Sequence, residues 1–175
     1  ARRSPGENQT VGLIAMFFYI VSHALIKGTL FLVTGATIHL EKRRSIQSYR
    51  GLGYLMPLSM GAFTIAAFGM VGIPGTSGFI AKFDLSVAFL NASQGGFVAL
   101  LILSSILNAI YYFPIVINGF VSDNEGISVR LEKLPMTMMG VLIIFTGLII
   151  ALGFAPGMIM PYIEAAAEAM GGTLT

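Results

Sequence analysis

The chain has 175 residues, of which 55% are hydrophobic and 10% charged, with a formal net charge of +2 and a mean hydropathy of +0.84. Soluble domains carry about 25% charged residues, so an ordinary globular enzyme is excluded and an all-α polytopic membrane protein is expected. With no Cys and two His in different settings, this chain cannot build a disulfide framework or an iron–sulfur site, and a zinc site is not expected. No cofactor is assigned to it.

The first ten residues, ARRSPGENQT, read as a polar outer segment. They carry no initiator Met, and no short apolar stretch with a cleavage site follows, so they are not read as a signal peptide. The chain is read as a split-gene product or, preferably, as the C-terminal part of a longer polypeptide. Four spans follow, the first over Val11–His39, the second over Met56–Leu90, the third over Phe97–Val121 and the fourth over Leu134–Phe154. Crossing ~30 Å of hydrocarbon takes ~20 helical residues, so the first two are over-long and a tilt or a break must absorb the excess. From Pro156 onward, "PYIEAAAEAMGG" predicts a short amphipathic surface helix and tail over residues 156–175, closed by Gly171-Gly172. No internal repeat is visible, and residues 1–175 are read as a single membrane domain.

Charge asymmetry sets the expected orientation. Lys42, Arg43, Arg44 and Arg50 follow the first span and Arg130 and Lys133 follow the third, six basic residues against Arg2 and Arg3 on the other side. The positive-inside rule then makes both basic loops cytoplasmic and turns both chain ends outward. The expected location is a prokaryotic plasma membrane.

Chemistry concentrates in three stretches. In "GIPGTSGFIAKFDL" the second span meets Gly72, Pro74, Gly75, Thr76, Ser77 and Gly78 in quick succession. Pro74 removes a backbone donor, the glycines relax the chain, and the hydroxyls can serve freed carbonyls, so a broken helix is expected. Lys82 follows about one turn later. A Lys at membrane depth costs several kcal/mol and faces protein or a water-filled cavity; irregular backbone there is tolerated under the same condition, and transporters use it to build ion sites. Desolvation disfavours the ammonium form, so such a Lys exchanges its proton under modest electrostatic influence. The competing reading is a Lys snorkelling to the interface, with Asp84 marking a helix end.

In "SHALIKGTLFLVTGATIH", His23 and Lys27 lie four residues apart on one helix face, beside Ser22. Two titratable groups there make a relay in which protonating one disfavours charge on the other; a hydrogen-bonded core His and a Lys reaching backbone are the bland alternative. His39 belongs to a polar route or, more simply, to the interface. In "SSILNAIYYFPIVINGF", Asn108 and the Ser104-Ser105 pair are interhelical polar contacts, with Asn108 also a candidate for the polar route. Pro114 predicts a kink, and Tyr111 and Tyr112 could sit in a channel but read first as packing. The ten Met residues are packing material. No phosphate-cradling loop, nucleophile–base pair or basic aromatic patch for nucleic acid occurs.

"SHALIKGTLFLVTGATIH", "YRGLGYLMPLSMGAFTIAAFGMVGIPGTSGFIAKF" and "LLILSSILNAIYYFPIVINGF" together resemble the proton-conducting antiporter-like family, over about residues 11–121. That family includes Mrp-type cation/proton antiporter subunits, large membrane subunits of respiratory complex I and membrane arms of energy-converting hydrogenases. Within it, the third stretch is most similar to the D-type Mrp subunit. The resemblance implies the last four helices of such a subunit, the second one broken, with Lys82 as the lysine of the second broken helix and His23 and Lys27 on the central relay helix. It also implies a first repeat, with its own broken helix and lysine, that this sequence lacks.

The expected function is therefore ion translocation, of protons and with Na⁺ as a coupled ion to be considered, within a multisubunit membrane complex. Expected partners are the lipid bilayer, other membrane subunits, the missing first half or another antiporter-like chain, and in one variant a redox arm that would make this the pumping subunit of an oxidoreductase. The alternatives are a non-conducting structural subunit and a quinone-binding redox subunit, the latter disfavoured because the chain has no cofactor ligands.

Overall fold

The computed structural model describes residues 5–41, 49–121 and 134–171, and every regular element among them is helical. The basic residues Lys42, Arg43, Arg44, Arg130 and Lys133, like Arg2 and Arg3, lie outside the described residues; of the cationic loop residues, Arg50 is within them. Helix α1 runs Pro5–Glu41, 37 residues and about 55 Å long. Its start at Pro5, where a missing N–H costs nothing, makes residues 5–10 continuous with the first span.

A short connection leads to α2 (Leu52–Leu55) and α3 (Pro57–Val71). Gly51, at φ 71°, turns the chain so that its N–H donates to the Asn118 carbonyl at 3.2 Å. Two residues on, a Cβ at Gly53 would meet the Phe120 ring at 2.8 Å, so each glycine of the Gly-Leu-Gly run has its own physical reason.

The second span is broken, as the sequence predicts. Helix α3 stops at Val71 and α4 begins at Ser77 (Ser77–Asn91). The stop is a left-handed glycine cap: Gly72 has φ 91°, and the Gly72 and Ile73 N–H groups both donate to the Phe68 carbonyl, at 2.9 and 3.0 Å. Thr76 Oγ1 donates to the Ile73 carbonyl at 2.7 Å. The Ser77 hydroxyl departs from expectation. It is buried without a partner among the described residues, because the start of α4 is pressed against α1, and the Ser77 carbonyl accepts from Ser22 Oγ at 3.4 Å.

Helix α5 spans Gly95–Phe120, helical on both sides of Pro114, and α6 spans Met136–Phe154. Three helices, α1, α5 and α6, are long and apolar enough to cross a membrane. The halves α3 and α4 have 15 residues each, about 22 Å, so they make the fourth crossing jointly. After a 3₁₀ turn at Pro156–Met158, α7 (Met160–Gly171) lies on the surface. It buries Ile163 and Ala167, one turn apart, and turns Glu164 and Glu168 outward.

The core lies where α1, α3 and α6 meet, around Ile26, Val33, Met60, Ala66 and Ile149. A second cluster, Phe18, Ala81, Leu152 and Ile163, ties α7 to the region of the break. Four helix hydroxyls need no distant partner: Thr29, Thr34, Thr37 and Thr64 each donate to the carbonyl four residues back, at 2.8 to 2.9 Å. The 19 residues of α6 rise about 28 Å, close to the hydrocarbon thickness. Its midpoint Phe145 rests on Gly28, and Gly153 near its end rests on the Gly75–Thr76 backbone. The break therefore sits off the centre of the span, toward the end of α6.

Two backbone approaches fix the break in position. A Cβ at Gly78 would overlap the Gly69 carbonyl, and one at Gly153 would meet the backbone of Gly75 and Thr76 at 2.5 to 2.6 Å. Gly78→Ala should lower stability by about 1–3 kcal/mol or more, read as a fall in thermal unfolding midpoint in detergent. Gly61→Ala, with nothing within 4 Å of the added carbon, should be neutral or slightly stabilising.

Candidate functional site

The ending of α3 leaves carbonyls without helical donors, a negative helix end at membrane depth. Lys82 fills that need from the second turn of α4. Its Nζ donates to the Met70 carbonyl at 2.7 Å, the Val71 carbonyl at 3.3 Å and Ser105 Oγ on α5 at 2.7 Å. An ammonium has three protons to donate, so these three acceptors use all of them. The Lys82 stem also packs on Gly72, where a Cβ would come within 3.2 Å of its Cδ. Lys82 thus points back to the break, not outward to the interface.

Lys82 also lines two chambers. An inner one of about 60 Å³ is lined by Tyr19, Ser22, His23 and Ile26 of α1, Gly69 and Met70 of α3, Gly78, Ala81 and Lys82 of α4, and Ser104 and Asn108 of α5. One water needs about 10–15 Å³ of such space, so several fit. An outer chamber of about 350 Å³, open and lined mostly by apolar side chains, lies between α3, α4 and α5, with Lys82, Ser86 and Ser105 as its polar residues. Adjacent serines on α5 are divided between the two: Ser104 lines the inner chamber and Ser105 the outer.

His23 lines the inner chamber with its ring stacked on Tyr19, 5.7 Å between centroids and 15° between planes. Lys27, one turn further along α1, does not share that space. It lines a third cavity of about 290 Å³ with Thr34, Tyr49, Tyr111 and Tyr112. The shared helix face is as expected, but neighbouring helices partition it into two compartments. Asn108 joins His23 and Lys82 in the inner chamber. His39 does not: it is exposed, sixteen residues and about 24 Å along α1 from His23, and lines none of these cavities. Asp84 borders a separate groove with Val11, Ile14, Ala15 and Val87.

One contribution escaped sequence reading, and another stood there as the second choice. Ser105 reads as interhelical contact, and its hydrogen bond to Lys82 follows from a helix register that one sequence does not reveal. Tyr111 and Tyr112 read as packing; Tyr112 does pack edge-on against Phe63, with centroids 6.1 Å apart, yet both tyrosines line the Lys27 cavity. The pairing of Tyr with Lys at membrane depth was the available signal.

A discontinuous helix whose free carbonyls are met by a half-buried lysine, inside a bundle of apolar helices, defines a polytopic α-helical membrane protein of the broken-helix kind. The chain belongs to the NADH:quinone oxidoreductase/Mrp antiporter transmembrane family, whose model matches residues 7–108. It is 36% identical over 123 residues to NADH-quinone oxidoreductase subunit N of Desulforudis audaxviator, covering 70% of this chain and 25% of the relative. It is 30% identical over 166 residues to a Staphylococcus aureus (strain MRSA252) protein bearing the antiporter-subunit name mnhD2, covering 93% of this chain and 33% of that one. Its fold matches a chain of the Mrp complex from Dietzia sp. DQ12-45-1b with TM-score 0.79 at 23% identity, over 91% of this chain and 38% of the other. A chain of respiratory complex I from Thermus thermophilus, with bound aureothin, matches with TM-score 0.65 at 26% identity, over 85% and 34%. The chain thus spans a quarter to a third of the length of these curated relatives.

The two chambers differ in size enough for a direct accessibility test, and the chain has no native Cys. Ser86→Cys, in the outer chamber, should react with a small aqueous thiol reagent about tenfold or more faster than Ala81→Cys, in the inner one. Equal rates would mean that the inner chamber is as open to water as the outer one.

Proposed function

We propose that this chain carries the second-half proton relay of an ion-translocating, antiporter-like subunit in a multisubunit membrane complex. The observation that carries the reading is the position of Lys82: a cation held on the open end of a broken helix, lining two chambers. Family membership supports it, and the relatives' names, an NADH-quinone oxidoreductase subunit and an antiporter subunit, support a complex of several membrane chains.

In this mechanism a proton reaches Lys27 near the middle of the span, among Thr34, Tyr49, Tyr111 and Tyr112. It passes to His23 and then, through water in the inner chamber beside Asn108, to Lys82. Lys82 holds it as an ammonium and releases it to the outer chamber when charge builds up behind it. Each site in the row is close enough for charge on one to disfavour charge on the next, which makes the steps sequential. With the basic loops cytoplasmic, release is to the outer side. The groups in the row are amines, an imidazole and hydroxyls, which suit protons; Na⁺ coupling, if present in the complex, is assigned to another chain. The chain spans a quarter to a third of the length of its curated relatives; the rest of such a subunit is assigned to another stretch or chain, and a redox arm is a partner only where the complex is an oxidoreductase.

The test is proton transport by the assembled complex in inverted membrane vesicles, read as fluorescence quenching of a pH-sensitive dye. Lys82→Ala should bring transport to background while the complex still assembles, since water in the enlarged chamber can serve the freed carbonyls. Normal transport by that variant would sink the assignment and return the chain to a structural role.

A further inference from the structure

Ser105 is the one partner of Lys82 whose chemistry is reversible. The Met70 and Val71 carbonyls accept hydrogen bonds and have no proton to give, whereas a hydroxyl can both accept and donate. In the ammonium state the three acceptors suffice. Once Lys82 gives up a proton, its nitrogen carries a lone pair at membrane depth, and a buried acceptor left unpaired is costly. Among the described groups hydrogen-bonded to Nζ, Ser105 Oγ at 2.7 Å is the single one that can turn and donate to that lone pair.

We propose that Ser105 is a positioning residue for proton exchange at Lys82, holding the amine in both charge states. On release, one Nζ–H bond breaks and the proton passes to a water in the outer chamber, the electron pair remaining on nitrogen. The Ser105 hydroxyl rotates about its Cβ–Oγ bond and donates to that pair, while two Nζ–H groups stay on the Met70 and Val71 carbonyls. Reprotonation from the inner chamber reverses the rotation. Its location fits this role. Ser105 lines the outer chamber, where Ser86 is the other hydroxyl, and Ser86 Oγ is already engaged with the Lys82 carbonyl at 2.7 Å. The inference rests on the proton-relay reading above.

The experiment measures initial transport rates in the same vesicles for Ser105→Ala, Ser105→Thr and Lys82→Ala, normalised to assembled complex. Ser105→Ala should be about tenfold slower than the natural chain, the scale set by losing one hydrogen bond to a charged group. Ser105→Thr should recover most of that rate, because the hydroxyl is kept and the added methyl has the 350 Å³ chamber to enter. A Ser105→Ala rate equal to that of the natural chain, with Lys82→Ala inactive, would overturn this inference and leave the relay standing. Ser105→Thr as slow as Ser105→Ala would also overturn it, by assigning the effect to packing. A fully active Lys82→Ala would instead remove the relay reading itself.

Discussion

The contact between the Lys82 ammonium and the open end of α3 is the interaction on which the rest of the arrangement depends. A helix that stops inside a membrane exposes carbonyls where water is scarce, and a lysine there loses its hydration. Each is unfavourable alone; together they compensate, because the negative helix end and the cation occupy one point. The left-handed cap at Gly72, the return of the chain at Ser77 and the crossing of Gly78 over Gly69 all serve to bring α4 back far enough for Nζ to reach Met70.

Around that contact, polar groups are arranged by depth. Lys27 lies one residue from Gly28, which meets the midpoint of α6; His23 is one turn nearer the break, and Lys82 stands at it. Helix α5 supplies the facing residues in matching order: Tyr111 and Tyr112 opposite Lys27, Asn108 opposite His23, and Ser105 at Lys82. Residue numbers rise together along α1 and α5, so the two helices run parallel, and an equal rise per residue keeps such a row in step. The apolar remainder of each helix serves the core or faces outward; Phe31 and Ile110, at 71% and 67% exposure, turn to whatever surrounds the bundle.

Much of the fold is legible in one sequence. The apolar lengths mark four crossings within a few residues, and the cluster of Gly, Pro, Thr and Ser between Gly72 and Gly78 marks the break, since each of those residues weakens a helix for its own local reason. The amphipathic pattern of "PYIEAAAEAMGG" likewise marks α7. The site is only partly legible. Lys82, His23 and Asn108 stand out as polar residues in apolar runs, and they do share a chamber. Helical spacing unites His23 and Lys27, yet two cavities hold them, because compartments are set by the crossing of α3 and α5, which no local pattern encodes. Ser105 stays hidden for the same reason, and His39, for which the interface is the simpler reading, lies exposed about 24 Å along α1 from His23.

The glycine crossings also restrict how such a unit can work. With the Gly78 and Gly69 backbones in contact, and Gly153 seated on Gly75 and Thr76, neither half-helix has slack to slide or rock. A carrier that alternates its opening by moving whole helices needs that slack. Under the proposed relay, the moving parts would be small: a lysine side chain, a rotating hydroxyl, and water that enters or leaves a chamber of some tens of cubic ångströms. On that proposal the unit would be a stationary conductor, governed by hydration and charge and not by the stroke of a hinge.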